Sequence, residues 1–300
     1  MSASSGTSLA FAVPYYSGLD YLREALASAL AQRDPDWTLV VVDDSPDKRG
    51  VRELVEALGD ARLRYLANPG TLGMVACWNR CLDVAGGELV TLLHADDRLL
   101  PGYVGGTKEL AAAHPEAVAF FCAAETIDAG GARRFSLQDD IKRLLVPRGG
   151  GDVRLSGEAG VRALMRGNFI VCPTLAWRRA RLGERRFDPR WRQVQDLELL
   201  TRLLFEGETL AGSRAARYAY RRHEANTTAR QTESLLRFEE EFAVFDRIAA
   251  RAAELGWGRA AGVSRRKVIL RLHLAWRVAG ELARLRPGAA GRALRFLLTR

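Results

Sequence analysis

Apolar residues over the first 120 or so positions fall into two alternating rhythms. Leu9 to Val13 is a short continuous apolar run that ends at Pro14. Leu19, Leu22, Leu26 and Leu30 then recur at the spacing of one helical face, with Asp20 placed as a first-turn acid. Leu39-Val40-Val41-Val42 is uninterrupted and closes on Asp43-Asp44, as a strand buried on both faces reads. Arg52 to Leu58 predicts a helix, Leu63 to Leu66 a strand, Val75 to Val84 a helix and Leu89 to Leu93 a strand. Strands alternating with helices imply right-handed crossovers and an α/β fold, a mostly parallel sheet with helices on both faces. Ligands of such sheets bind beyond the carboxyl ends of the strands. Two of those ends carry paired acids here, Asp43-Asp44 and Asp96-Asp97.

From about Thr126 to Gly157 the rhythm gives way to Gly, Arg and Asp, including Arg148-Gly149-Gly150-Gly151-Asp152, which reads as loops over the sheet. Helical spacing returns at Glu158 to Met165 and Leu197 to Glu206, and from about Gln231 the chain reads as helical to its end. Between Arg265 and Arg286 the residues Val268, Leu272, Ala275, Trp276, Ala279 and Leu282 share an arc of roughly 120° on a helical wheel. Lys267, Arg271, Arg277 and Arg284 lie on the other side. Such a helix either packs its apolar arc on the body and exposes its charges, or makes a peripheral contact with an anionic membrane through residues 265–300.

Composition narrows the class. Of 300 residues 48% are hydrophobic and 27% charged, enough for a proper core in one large domain or a domain with an extension. Met1 to Thr7 is small and polar, so no signal peptide is expected, and no uncharged apolar run approaches the ~20 residues of a membrane helix. Cys77, Cys81, Cys122 and Cys172 contain no C-x-x-C pair and read as buried free thiols, although Cys77 and Cys81 stand one helical turn apart, close enough to hold a metal. A cytoplasmic location fits, at the inner face of the membrane if the tail binds lipid. The net charge of +9 invites a nucleic-acid reading. After residue 250, however, twelve Lys/Arg face only Glu254 and Glu281, a local +10 that leaves −1 for the first 250 residues. A near-neutral body with a basic tail argues against nucleic acid as the partner.

The chemistry centres on His94-Ala95-Asp96-Asp97, after the apolar run Leu89-Val90-Thr91-Leu92-Leu93. Adjacent acids repel unless a cation neutralises them. Mg²⁺ and Mn²⁺ take one or two carboxylates plus substrate phosphates, so a metal-bridged diphosphate is the simplest ligand. The plainer alternative is that Asp97 caps the helix beginning near Pro101. Asp43-Asp44, followed by Ser45-Pro46-Asp47, is either turn chemistry or an acceptor for a pyrimidine imino N–H and ribose hydroxyls.

Several segments together resemble family 2 glycosyltransferases of the GT-A fold: Val13-Pro14-Tyr15-Tyr16-Ser17 with Tyr21-Leu22; Val41-Val42-Asp43-Asp44-Ser45; Asn68-Pro69-Gly70 with Asn79; Leu92 to Asp97 with Pro101; Asn168-Phe169 with Pro173-Thr174 and Arg178-Arg179; Gln195-Asp196-Leu197-Glu198-Leu199; and Tyr220-Arg221-Arg222-His223 with Asn226-Thr227-Thr228. They stand in the family's order from about Leu9 to Thr228. The resemblance implies a catalytic domain over residues 1–230, with a nucleotide-sugar half to about 122 and an acceptor half from about 123, and a basic helical extension over 231–300. It implies inverting transfer from a nucleoside-diphosphate sugar, a UDP-sugar foremost, to a hydroxyl of a glycan or lipid-linked acceptor, as in cell-envelope polysaccharide synthesis. Pro14, Tyr16, Asp43, Asp44, Asn68, Asn79, His94, Asp96, Asp97, Arg221 and Arg222 would bind the donor. Asp96, Asp97 and His223 would hold Mn²⁺ or Mg²⁺, and Asp196 would be the base. Two positions depart from the pattern: His94 replaces an Asp of the metal motif, and Gln195 replaces the Glu before the base. A metal-dependent nucleotidyltransferase would show a Gly-rich, Lys/Arg-bearing loop after the first strand, where Pro14-Tyr15-Tyr16-Ser17 stands instead. A dehydrogenase would carry G-x-G-x-x-G after a strand, and none is present. A non-catalytic basic binding module would not need Asp43, Asp44, Asp96, Asp97 and Asp196 at the pattern's positions.

Overall fold

A computed structural model of the chain describes residues 7–135, 142, 144–223 and 235–299. Asn226, Thr227 and Thr228, the helical start expected at Gln231 and part of the Thr126–Gly157 segment lie outside the described residues.

The apolar runs become β1 (Leu9–Tyr15), β2 (Trp37–Asp43), β3 (Leu63–Ala67) and β4 (Leu89–Leu92), linked by α1 (Leu19–Leu30), α2 (Val51–Ala57) and α3 (Met74–Val84). These strands pair in parallel in the order β3-β2-β1-β4. Tyr15 stands beside Asp43, Asp43 beside Ala67 and Ala12 beside Leu92, so Tyr16, Asp44, Asn68 and His94 leave the sheet along one edge.

There follow β5 (Arg98–Leu99), α4 (Tyr103–Ala113), β6 (Ala117–Ile127), β7 (Val153–Ser156), α5 (Gly157–Arg166), β8 (Ala176–Arg178), α6 (Arg179–Leu182), α7 (Gln195–Phe205) and β9 (Thr209–Arg221). The sheet continues from β4 through β8, β6 and β9 to β5, with β7 also paired to β9. β8 is antiparallel to β4 and β6, β9 is parallel to β6, and β5 and β7 run against β9. The long strands therefore all point one way, as the sequence predicts. The reversed strands are only two to four residues long, too short for any hydrophobic rhythm to show. This topology matters for the site: the carboxyl ends of β1, β2, β4, β6 and β9 converge on one edge.

Alternation along β1 feeds two cores. Phe11 and Val13 join Leu22, Leu26, Val41 and Tyr103 on one face; Ala10 and Ala12 join Trp78, Leu164, Trp177 and Leu200 on the other. The second core extends into the C-terminal helices α8 (Leu236–Glu254), α9 (Gly258–Arg266), α10 (Val268–Ala283) and α11 (Pro287–Thr299), through Phe238, Phe242, Leu270 and Leu274. Polar contacts reinforce that seam. The Glu158 carboxylate accepts the Arg259 and Ala260 N–H groups at 2.7 and 3.0 Å, at the start of α9, and Phe205 stacks on Trp257. All four cysteines are free thiols.

α10 packs differently from the first of its two expected arrangements. The arc of Val268, Leu272, Ala275, Trp276, Ala279 and Leu282 faces solvent, and Leu270 and Leu274 face the body. Lys267, expected outside, is buried over the Phe242 ring and bonded to Asp246. The helical wheel placed the apolar arc correctly but not its neighbour; α8 offers Asp246 and the rings of Phe238 and Phe242 to the other side of the helix. Among the described residues no helix is long and apolar enough to cross a membrane.

Candidate functional site

The β2 end turns its acids inward. Asp43 Oδ1 accepts the Ser45 N–H and hydroxyl at 2.9 and 2.6 Å, and Oδ2 accepts the Tyr65 hydroxyl at 2.8 Å. Burial and this bond to Asp43 push the Tyr65 pKa up to about 12, so the phenol remains a donor. Asp44 Oδ1 takes the Asn68 amide and the Leu72 N–H, both at 2.8 Å, and its Oδ2 takes the Gly73 N–H at 2.9 Å. Gly73 has φ +88°, a conformation side chains strain to adopt, at the entry to α3. Each carboxylate thus accepts three hydrogen bonds of about four it can take. Asn68 Oδ1 is buried with no partner among the described residues. Tyr16 stands 58% exposed beside this edge, and Pro14 pairs with Val42. Asn79 lies on α3 with its amide exchanging two 2.9 Å bonds with the Phe187 backbone. It splices α3 to the segment after α6.

At the end of β4, Asp96 and Asp97 separate. Asp97 is fully buried, and its oxygens accept the Arg221 N–H at 2.7 Å and the Tyr218 hydroxyl at 3.1 Å, tying the turn to β9. Burial and then repulsion from Asp96 push its carboxyl well above the usual range. Asp96 keeps a side chain 32% exposed, and its Oδ2 meets His223 Nε2 at 3.0 Å. His94 lies against the Trp78 ring, with Nδ1 3.9 Å from Asp97 Oδ2. Burial holds this imidazole neutral against the pull of Asp96, and its Nε2 has no hydrogen-bond partner among the described residues. Ligand atoms of His94, Asp96 and Asp97 lie within 4.8 Å of one another. Cys77 and Cys81 form no such group with other ligand-type side chains among the described residues.

The two arginines of the closing segment are placed differently. Arg221 is buried; its guanidinium donates to the Asp96 carbonyl at 2.7 Å, to the Ala129 carbonyl at 2.8 Å and to Glu24, and lies over the Tyr21 ring. It forms the wall that shapes the Asp96 backbone. Arg222 donates its N–H to the Ile127 carbonyl at 2.9 Å and keeps its side chain half-buried near the Tyr220 ring. His223 packs on Tyr21 at 5.1 Å.

Asp196 stands in the first turn of α7, half-buried, with Asn168 Nδ2 at 3.4 Å. Burial raises its pKa, and Leu197, Lys142 and Asn168 oppose the rise. The Cys172 thiol is held protonated first by burial, then by the charges of Asp196 and Asp97. Asn168, bonded to Asp196, precedes β8, whose first residue Ala176 pairs with Thr91 near the carboxyl end of β4, which puts Asp196 on the side of the sheet where Asp96 and Asp97 stand. Arg178 and Arg179, by contrast, sit at the opposite end: Arg178 pairs with Leu89, the first residue of β4.

Sequence reading missed the supports. Glu24 bonds both Arg98 and Arg221, and its one sign is that it follows Tyr21 by three residues on the same face of α1. Glu240 of α8 accepts the Arg192 and Gln193 N–H groups, the latter at 2.8 Å, just before the helix that carries Asp196. No local pattern announces a partner so remote in sequence.

Residues 11–187 match the family described as Glycosyl transferase family 2. The chain belongs to that family. Among curated relatives of this chain is the putative colanic acid biosynthesis glycosyl transferase of Escherichia coli K12, 33% identical over 78 residues, 26% of this chain and 28% of that one. The matched stretches span 28–34% of the curated relatives' own lengths. Among solved structures, Staphylococcus aureus TarS 1–349 in complex with UDP-GlcNAc superposes with a TM-score of 0.62 at 18% identity, over 81% of this chain and 66% of that one. The mannosyltransferase of Pyrobaculum calidifontis in complex with GDP-Man and Mn²⁺ superposes with a TM-score of 0.61 at 16% identity, over 98% and 88%. At these identities the likeness establishes the fold, and it is the GT-A fold.

Proposed function

We propose that this chain moves a sugar from a nucleoside-diphosphate sugar, foremost a UDP-sugar, to a hydroxyl of a glycan or lipid-linked acceptor, inverting the anomeric carbon. The observation that carries this reading is an accessible Asp96, backed by His223, at the carboxyl end of β4, with a second acid, Asp196, held through Asn168 on the same side of the sheet. The named relatives support it, because one is named for colanic acid biosynthesis and two solved neighbours hold UDP-GlcNAc or GDP-Man.

The donor set fits a divalent cation. Asp96 offers an accessible carboxylate, His94 an imidazole with a ligand nitrogen within 4.8 Å of the Asp96 and Asp97 oxygens, and His223 an imidazole against the same Asp96 carboxylate, ligands that suit Mn²⁺ or Mg²⁺. Asp96 and His223 would hold the ion, His94 would complete the set, and Asp97 would support the turn. When bound, the ion stabilises charge on the departing diphosphate. Arg222 takes the phosphate contact expected of both arginines, while Arg221 shapes the site from behind. Asp43, Asp44 and Asn68 are buried, and through the turns they hold they would shape the nucleoside end of the site, beside which the exposed Tyr16 stands. Asn79 acts through Phe187 rather than on the donor.

Asp196 accepts the proton of the attacking hydroxyl. Its raised pKa makes its ionised form a better base than an ordinary aspartate. A base on one side and the diphosphate on the other suit a single displacement, which inverts. The experiment is thermal denaturation with a panel of nucleotide-sugars, with and without Mn²⁺. A ligand at 1,000 times its Kd stabilises by about 4 kcal/mol, so the true donor raises the melting temperature by several degrees, and more with metal. If no nucleotide-sugar shifts the melt in either condition, the reading fails.

A further inference from the structure

The outer face of α10 is a line of large apolar side chains that no described residue covers. Val268 is 56% exposed, Leu272 61%, Trp276 69% and Leu282 55%, with Ala275 and Ala279 exposed between them. The spacing 268, 272, 275, 276, 279, 282 keeps them on one side of the helix over four turns. Leu270 and Leu274, which face the body, already anchor α10, so this stripe is surplus to folding. Contiguous exposed apolar surface of this kind marks an interaction site. Arg265 and Arg266 stand exposed before the stripe and Arg284 and Arg286 after it, in a segment whose net charge is +10 beyond residue 250.

We propose that this face docks on an anionic lipid bilayer. Lying in the headgroup plane, α10 would sink Leu272 and Trp276 toward the acyl chains, with Arg265, Arg266, Arg284 and Arg286 at the lipid phosphates. The charge selects this occupant. A second copy of the chain would bring two strongly basic surfaces together, which Coulomb repulsion opposes. Nucleic acid would satisfy the arginines but leaves the aliphatic residues without a hydrocarbon partner. A bilayer with acidic headgroups satisfies both, and tryptophan is at home at that boundary. The inference is independent of the donor site, and its test does not require activity.

The test uses the full chain and vesicles of phosphatidylcholine alone or with phosphatidylglycerol, at low and raised salt. Trp37, Trp78, Trp177 and Trp191 are buried and Trp257 is stacked on Phe205, so Trp276 dominates any change in tryptophan emission. Co-sedimentation with phosphatidylglycerol vesicles at low salt, accompanied by a blue shift, is the expected result. The Leu272→Glu/Trp276→Glu variant should bind about ten-fold more weakly or worse with its melting temperature unchanged, because the substituted side chains stabilise nothing in the fold. An Arg265→Gln/Arg266→Gln/Arg284→Gln/Arg286→Gln variant, which leaves the stripe intact, should lose binding similarly and lose its salt sensitivity. The proposal is overturned if the parent ignores acidic vesicles at low salt, or if both variants bind as it does. Self-association abolished by the Glu variant, without vesicle binding, would assign the face to a second copy instead.

Discussion

Asp96 and Asp97 are neighbours with opposite fates, and the difference lies in what β9 offers each. Asp97 receives the Arg221 N–H and the Tyr218 hydroxyl and is sealed; Asp96 receives only its backbone's share of Arg221 and leaves its carboxylate for His223 and the solvent. Asp97→Ala should therefore cost roughly 1–3 kcal/mol by stranding two buried donors, read as a lowered denaturation midpoint. Asp196 makes the contrary prediction for stability. A carboxyl whose folded pKa is raised is stabilising while protonated, and that contribution is lost as pH rises through the raised value. Above the raised value its ionised form is a cost to the fold. Asp196→Asn should leave the melting temperature unchanged or higher while turnover falls by roughly 10²–10⁴-fold. A parallel loss of stability and turnover would make Asp196 a structural helix-start acid. The parent's activity should fall on acidification at a pH above that of an ordinary aspartate.

Elements divide by whether their sequence carries a rhythm. β1 to β4 and α1 to α3 were legible because buried strands are continuous apolar runs and half-buried helices repeat every three or four residues. β5, β7 and β8 were not, because their pairing is dictated by β9, β4 and β6 rather than by their own few residues. The same limit hid the link from α8 to α7. Glu240 is mostly buried and holds the Arg192 and Gln193 N–H groups, which sets the approach to the first turn of α7. Glu240→Ala should lower both stability and turnover, and Glu240→Gln, which keeps one acceptor oxygen, should recover part of each; unchanged turnover in Glu240→Ala would remove α8 from the site's support. α10 should loosen in acid. Burial, reinforced by Arg237 of α8 and by Arg277, pushes the pKa of His273 down to about 4 from 6.5, and its ring meets Phe238 edge-on. A depressed pKa means that stability is complete above about 6.5 and is lost as pH falls toward about 4. The melting temperature should decline over that window, and His273→Phe should flatten the decline.

At the scale of the molecule, six strands pointing one way bring distant strand ends together, and that convergence gathers the candidate site residues from positions a hundred apart. The candidate chemical groups Asp96, Asp196 and His223 sit in segments at strand and helix ends that the sequence pattern singles out. Their supports were not legible there, since Glu24, Tyr218 and Trp78 act through contacts that exist only once β9, α1 and α3 are packed. Arg221 shows the same boundary from the other side, a residue in the right segment whose guanidinium the fold consumes. The central claim is that Asp96 is where a divalent ion and the donor diphosphate meet. Calorimetric titration of the parent and of Asp96→Asn with UDP, each with and without Mn²⁺, tests it most directly. The account predicts that Mn²⁺ strengthens UDP binding to the parent and has no effect on the variant, which melts like the parent. Metal-dependent UDP binding that survives unchanged in Asp96→Asn would contradict it.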